Sequence, residues 1–327
     1  MPDRPDPGAA SAQDDRPGQG PHRAEAAGRD ATRVVAVVTA FRPDEALDVV
    51  VASVAGQVDR VVVVDDGSGP AADAALARVA AAGAVVVRQD ANRGIGAALN
   101  AGLRAATAAT AGPDAGAAVD VLTLDQDSAL PAGYVAALRA AADRARAAGV
   151  AVGMVGPGQA TGVRAAAGAG SGAVVEGREP IQSGLLLPHD ARAVLGEFDE
   201  ALFIDGVDTE YWLRARAHGL RAVVAPGTTL DHRLGRRHDV VLPGGRRLAV
   251  GHAATFRYYY IARNRVALVR RYGRREPGWA LGAVARDVRH LLLTTALVPG
   301  RAARIGETLR GLRDGLRGRT GRRPGRD

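Results

Sequence analysis

The chain has 327 residues, of which 47% are hydrophobic, and carries 43 basic and 35 acidic side chains for a formal charge of +8. That apolar content supports a sizeable core and excludes a wholly disordered chain, while the absence of cysteine excludes disulfides, thiolate metal sites and a cysteine nucleophile. Every basic residue is arginine, and residues 1–232 hold 20 arginines against 29 carboxylates where residues 233–327 hold 23 against 6, so an acidic body precedes a cationic extension.

Residues 1–31 are polar and rich in Pro, Gly and Asp, the composition of a disordered leader, and they lack the apolar stretch of a signal peptide. Residues 34–39 form a continuous β-branched run, the pattern of a strand buried on both faces. A helix is expected from Pro43, with Asp44 and Glu45 in its first turn. Residues 61–64 make a second buried strand ended by Asp65-Asp66-Gly67-Ser68, residues 70–82 a helix, and residues 84–87 a third strand. A helix over 95–107 leads to a fourth strand, 121–124, closed by Asp125-Gln126-Asp127-Ser128. Strands alternating with helices at this spacing predict a mainly parallel α/β sheet. Ligands of such sheets bind at strand carboxyl ends, where both acidic clusters stand.

Beyond Gly149 the pattern loosens into short strands and glycine-rich loops, with residues 165–173 expected to be a mobile loop. A helix over 209–219 and a strand over 221–224 lead to His232, and at least two helices follow in the basic region. The most apolar late segment, 279–299, is interrupted by Arg286, Asp287, Arg289 and His290, so no membrane span is expected. These features together place the protein in the cytoplasm. The basic extension has no nucleic-acid-binding motif and no aromatic residue after Trp279, which argues against nucleic acid as its partner.

Taken singly, the polar motifs are open to more than one reading. Asp125 and Asp127, at i and i+2 of an extended chain, project to one side and suit a hard divalent cation, or are solvated acids in a turn. Asp65 and Asp66 suit a nucleoside contact, or simply begin a tight turn at Asp66-Gly67. Asn92-x-Gly94-x-Gly96-x-x-x-Asn100 opens a helix with glycines that let backbone approach a ligand, yet it is neither the dinucleotide fingerprint nor a Walker A loop. Asp208 and Glu210 fit a first helical turn, with Arg214 four residues after Glu210 on the same face.

The order of these pieces resembles family-2 glycosyltransferases of the GT-A fold. The later Gln182-Ser183-Gly184, the run from Phe198-Asp199-Glu200 through Asp208-x-Glu210 to Arg214, His232-x-Leu234-Gly235 and Tyr258-Tyr259-Tyr260-x-x-Arg263-Asn264 resemble the rhamnosyltransferase branch. The resemblance covers about residues 33–272. It implies a nucleotide-diphospho-sugar transferase fold, Rossmann-like with a mainly parallel sheet, over residues 32–235, followed by a basic, mainly helical extension over 236–327 with a disordered end.

The resemblance further implies that Asp65, Asp66, Asn92, Gly94, Asn100 and Asp125 bind a nucleotide-sugar donor, with dTDP-L-rhamnose the expected sugar nucleotide. Asp125, Asp127 and His232 would hold Mg2+ or Mn2+, and Asp208 would be the general base of an inverting transfer. Ser183, Gly184 and Glu210 would face the acceptor, a cell-surface glycan or a polyprenyl-linked sugar. Many family members carry Glu-Asp where this chain has Val207-Asp208, so the base rests on one aspartate, with Asp205 and Glu210 as alternatives. A lipid-linked acceptor agrees with a cationic extension lying on an anionic membrane at the inner face of the cell membrane. The rival functions are a nucleotidyltransferase and a catalytically silent sugar-binding scaffold.

Overall fold

The computed structural model describes residues 32–108, 118–160, 163–164, 174–232, 236–241 and 247–325. The leader 1–31 and the glycine-rich loop 165–173 lie outside the described residues. Strands β1 (Arg33–Ala40), β2 (Arg60–Asp65) and β3 (Val85–Arg88) alternate with helices α1 (Ala46–Ala55) and α2 (Asp73–Ala81). They are followed by α3 (Ile95–Ala108), β4 (Val119–Asp125), β5 (Ser128–Ala129) and α4 (Tyr134–Ala147). Next come β6 (Val152–Ala160), β7 (Val163–Arg164), β8 (Val175–Glu176), β9 (Leu185–Leu187), α5 (His189–Leu195), α6 (Val207–Ala217) and β10 (Arg221–His232). The hairpin strands β11 (Arg236–Val241) and β12 (Arg247–His252) precede α7 (Arg257–Tyr272), α8 (Pro277–Leu297) and α9 (Arg301–Leu316).

The principal sheet runs β3-β2-β1-β4-β9-β6-β10-β5. Strand β1 lies parallel to both β2 and β4, β2 is parallel to β3, and β6 is parallel to β10. Strand β9 runs antiparallel to β4 and β6, the one reversal inside an otherwise parallel centre. This is the mainly parallel α/β sheet that the sequence predicts. Strand order turns back at β1, with β2 and β3 on one flank and β4 on the other, so a crevice opens where β1 and β4 part at their carboxyl ends.

The valine runs explain why this sheet is covered on both faces. Alternate side chains point to opposite sides of a strand. Val34, Ala36 and Val38 pack with Leu47 and Val50 of α1 and Leu138 of α4. Val35, Val37, Val62 and Val64 pack instead with Leu99 and Leu103 of α3 and Trp212 of α6. Each fully buried valine or leucine contributes about 1.5–3 kcal/mol by leaving water. Leu268 and Tyr272 of α7 join the second cluster, so the change of charge near residue 235 is not a boundary in packing. The basic region begins with the β11–β12 hairpin before it becomes helical.

The part expected to trail as a disordered end is also held in place. Gly321 N donates to Ala201 O at 2.6 Å, Arg319 N to Asp314 O at 2.9 Å and Arg323 N to the Tyr260 hydroxyl at 3.0 Å. The sequence-based expectation failed here because Ala201 and Tyr260 lie far away along the chain and composition carries no trace of them.

Helix α3 reaches β1 through Gly102, where an added Cβ would stand 2.1 Å from Val37 Cγ1. Val37 is wholly buried at the sheet centre and has no room to yield. Gly102→Val is therefore expected to cost about 1–3 kcal/mol through overpacking. The check is the urea midpoint, which should fall with an unchanged denaturant slope.

Candidate active site

A cleft of about 710 Å³ occupies the crevice beside the carboxyl ends of β1 and β4. Its walls come from residues 39–42 after β1, Asp66 after β2, Asn92 and Gly94 before α3, and residues 125–127 after β4. Gln182 and Ser183 before β9, residues 203–208 entering α6, and Phe256 and Arg257 at α7 complete it. Of the residues singled out from the sequence, Asp66, Asn92, Gly94, Asp125, Asp127, Ser183 and Asp208 meet in this one cleft. Its volume suits a nucleotide-sized ligand.

The two aspartates after β2 divide their work. Asp65 is fully buried, accepts from Ser68 N at 3.1 Å and pairs with Arg88 Nε at 3.2 Å, so it holds the turn instead of lining the cleft. Asp66 faces the cleft and accepts from Arg93 N at 2.7 Å and Gly94 N at 2.9 Å, which ties the end of β2 to the loop before α3. Burial pushes the Asp66 carboxyl above its ordinary range, against the pull of these two backbone donors and with some help from Asp65.

The turn after β4 is fixed from both sides. Gln126 Oε1 accepts from Phe41 N at 2.8 Å, across the crevice, and Ser183 Oγ accepts from Asp125 N at 3.0 Å. The same Ser183 hydroxyl lies 2.7 Å from that of Ser128. Gly184 sits at φ +76° with its carbonyl 2.8 Å from the Tyr134 hydroxyl, and a Cβ there would come within 2.4 Å of that oxygen. Ser183 thus acts on the geometry of the Asp125–Asp127 turn, and Gly184 permits the close packing behind it.

Asp125 and Asp127 offer hard oxygen donors in the cleft, the kind of set that holds Mg2+ or Mn2+ together with substrate phosphates. Among the described residues no group of three or more His, Cys, Asp or Glu forms a ready-made metal cage. The β5–β10 pairing sets the backbone of His232 opposite Ser128, one residue past Asp127, while the His232 side chain lies outside what is described. Two buried polar atoms of cleft-lining residues, Asn92 Oδ1 and Gln182 Nε2, have no hydrogen-bond partner. Unsatisfied buried groups of this kind are rare in packed interiors and suit a polar ligand.

Asp208 stands at the start of α6, where it accepts from Thr209 N at 2.7 Å. Burial pushes its carboxyl above the ordinary value; the Thr209 amide opposes that shift, and nearby Asp205 and Glu179 add to it. The segment leading into α6 carries non-glycine residues at positive φ, Phe203 at 65° and Asp205 at 64°, a conformation that persists only under constraint. The constraint comes from α7. The amide of buried Asn264 donates to the carbonyls of Leu202, Ile204 and Asp205 at 3.0, 2.8 and 2.6 Å, and buried Arg263 donates to Leu202 O at 2.8 Å and to Asn264 Oδ1 at 2.9 Å. Gly94 seats the loop before α3 on this segment, since a Cβ at Gly94 would fall 2.3 Å from Phe203 O.

Besides Asp65, two more residues expected at the site are placed elsewhere. Asn100 is buried behind the cleft, where it brackets the backbone of Phe198 at 2.8 and 3.0 Å and donates to Glu200. Glu210 is also buried, bonded to Arg214 at 2.7 Å and to the Tyr272 hydroxyl at 2.6 Å, which joins α6 to α7. Both side chains spend their hydrogen bonds on the scaffold. Arg257 was missed by sequence reasoning although it directly precedes Tyr258-Tyr259-Tyr260. It lines the cleft and pairs with Asp205, Nε to Oδ2 at 3.1 Å. Burial works against its charge, but Asp205, Asp125 and Asp208 outweigh it and hold the guanidinium firmly protonated.

The raised carboxyl of Asp208 has a consequence for stability. A carboxyl whose folded-state pKa lies above its unfolded value weakens the fold once it ionises, and this penalty fades as pH falls through the folded value. Asp208→Asn is expected to unfold at a higher temperature than the wild type at neutral pH. The gain should disappear below about pH 4, as read by thermal denaturation across pH.

Comparison with known proteins agrees with this architecture. Residues 35–180 match the family described as Glycosyl transferase family 2. The dTDP-rhamnosyl transferase RfbF of Shigella flexneri is 32% identical over 104 residues, which is 30% of this chain, and the chain spans about a third (34%) of that relative's length. Glucosyl-3-phosphoglycerate synthase from Mycobacterium tuberculosis, solved with Mn2+, UDP and glucosyl-3-phosphoglycerate, is similar at a TM-score of 0.42 and 16% identity over 72% of this chain and 93% of that one. Mannose-6-phosphate isomerase from Helicobacter pylori reaches a TM-score of 0.30 and 10% identity over 60% of this chain and 87% of that one, and structural likeness this low adds nothing to the family match. The residues that match glycosyl transferase family 2, 35–180, carry β1 to β4 and the Asp66, Asn92 and Asp125–Asp127 walls of the cleft.

Proposed function

We propose that the chain is an inverting, metal-assisted glycosyltransferase that moves a sugar from a nucleoside-diphosphate donor, dTDP-L-rhamnose, to a hydroxyl of a cell-surface glycan or polyprenyl-linked acceptor. The observation that carries this reading is the single cleft in which Asp66 and Asn92, Asp125 and Asp127, and Asp208 face one volume. The partial similarity to a dTDP-rhamnosyl transferase supports the choice of donor.

In this reading Asp66 and Asn92 hold the nucleoside. Asp208 takes the proton of the acceptor hydroxyl as its oxygen attacks the anomeric carbon and the bond from that carbon to the diphosphate breaks. A carboxyl raised by burial is a stronger base than a solvated one, which suits it to this step. Asp125 and Asp127 would hold a divalent cation, which when bound offsets the charge of the departing nucleoside diphosphate. Arg257, kept charged beside Asp205, adds a positive group close to the carboxylates that line the cleft.

The acceptor side of the proposal draws on the last two helices. Leu281, Val288 and Leu292 of α8 and Leu309 and Leu316 of α9 are all more than half exposed. Arginines 286, 289, 301, 310, 313 and 317 share these helices or flank them. Leucines next to arginines suit an anionic bilayer, the phase in which a polyprenyl-linked acceptor resides. No helix among the described residues is long and apolar enough to cross a membrane. The site of action proposed is the inner face of the cell membrane.

The test is a panel of nucleotide sugars scored for nucleoside diphosphate release, with Mg2+ or Mn2+ and with or without a lipid-linked acceptor. dTDP-L-rhamnose should give the highest turnover. Asp208→Asn should lower kcat by about 10²–10⁴-fold with donor binding retained, whereas Asp127→Ala should also weaken donor binding. Pyrophosphate release from a nucleoside triphosphate would point instead to the nucleotidyltransferase.

A further inference from the structure

Helix α7 begins at the wall of the cleft, and its first residue, Arg257, lines the cleft beside Phe256. No acidic side chain stands in the first turn of α7, so the partial positive charge of the helix start adds to that of the guanidinium. One edge of the guanidinium meets Asp205, with Nε donating to Oδ2 at 3.1 Å and Nη2 to Oδ1. Nη1 makes no hydrogen bond among the described residues, and the side chain keeps 37% of its surface exposed. Asp205 stands at φ 64° in the segment before α6, which Asn264 and Arg263 of the same helix already hold. As an anchor for that segment the ion pair is redundant, but it fixes the plane of the guanidinium. The carboxylates of Asp125 and Asp208 also act on the Arg257 charge, which puts it within electrostatic reach of both the turn after β4 and the start of α6.

We propose that Arg257 is a donor-binding residue whose second guanidinium edge takes the oxygens of the donor diphosphate. A guanidinium has five donors in a planar fork, and Asp205 engages the edge formed by Nε and Nη2. The edge formed by Nη1 and the remaining proton of Nη2 matches two phosphate oxygens, the bidentate geometry for which arginine is suited. Asp66, Asp125, Asp127 and Asp208 line the same cleft, so a diphosphate entering it meets like charge unless cations intervene. A divalent ion on Asp125 and Asp127 would offset part of that repulsion as a point charge, whereas an arginine oriented by Asp205 also fixes the direction of the bonds. Arg42 lines the cleft too, but among the described residues no carboxylate orients it, and its guanidinium carbon lies 5.0 Å from the centroid of the exposed Phe41 ring. The strained segment before α6 thereby serves both partners of the reaction: it carries Asp208 toward the acceptor and, through Asp205, aims Arg257 at the donor.

This inference rests on the donor reading given above, and the experiment separates the two. Affinities for dTDP and UDP, and for thymidine and uridine, are measured by titration calorimetry with Mg2+ on the full chain. The proteins compared are the wild type, Arg257→Gln and the double variant Asp205→Asn/Arg257→Gln. The nucleosides carry no phosphate, so they report whether the cleft is intact in each variant. The double variant removes both charges of the pair and so leaves no stranded Asp205 carboxylate. The expected result is diphosphate binding weakened roughly tenfold or more in both variants, the size of a hydrogen bond to a charged group, with nucleoside affinity kept. Equal diphosphate affinity in the wild type and Arg257→Gln overturns the role of Arg257 while the donor reading stands. Wild-type affinity in the double variant overturns it too, since the loss in Arg257→Gln then comes from the stranded Asp205 charge. A loss shared equally by nucleoside and diphosphate assigns Arg257 to the scaffold and likewise overturns the proposal. A wild type that binds neither dTDP nor UDP overturns the donor reading and this inference with it.

Discussion

The buried amide of Asn264 is the interaction on which the site depends. Its nitrogen lies within 3.0 Å of three carbonyls, those of Leu202, Ile204 and Asp205, although an amide has only two protons to give. Such shared bonding is weak for any one acceptor, yet it gathers three carbonyls on one point and so bends the chain. The bend leaves Phe203 and Asp205 at positive φ, a strain of order 1–3 kcal/mol each. Arg263 reinforces it from the same helix. Without this clamp the segment would relax, and with it the start of α6, the position of Asp208 and the surface against which Gly94 seats the donor-side loop.

The electrostatics follow from the same burial. Asp66 and Asp208 are both pushed toward their neutral forms by being removed from water, one at each side of the cleft. A fold selected for stability alone would not place them there, and the cost is characteristic of sites arranged for binding and proton transfer. Arg42, after β1, and Arg257, at the start of α7, are cations that line this acidic cleft. The +8 of the whole chain thus has a local meaning. Much of the cationic region is exposed on α8 and α9, while Arg257 lines the cleft.

The central half-sheet was legible in the sequence because its signals are local. Four apolar β-branched runs, two of them closed by paired aspartates, predicted β1 to β4 and placed Asp66, Asp125 and Asp127 at strand ends. Asp208 was legible through its place in the run ending at Arg214. Asn100 and Glu210 share the polar character of site residues, but the sequence carries no sign that Phe198 and Tyr272 would claim their hydrogen bonds. Arg257 was missed for the converse reason: in a chain whose every basic residue is arginine, identity says nothing about which one meets a carboxylate or a cleft. The contact from Arg322 to Asn92 spans 230 residues, a separation at which periodicity and composition are silent.

Burial raises the proton affinity of Asp208, the base proposed for the transfer, and the pH dependence of kcat/KM for glycosyl transfer tests that role most directly. If Asp208 accepts the acceptor proton, activity must fall as acid protonates it, and the midpoint of that acid limb should lie above about 4, the ordinary carboxylate value. The midpoint should not move with the choice of acceptor. A profile that stays flat to the acid edge of stability, or an acid limb at the ordinary carboxylate value, would contradict the assignment.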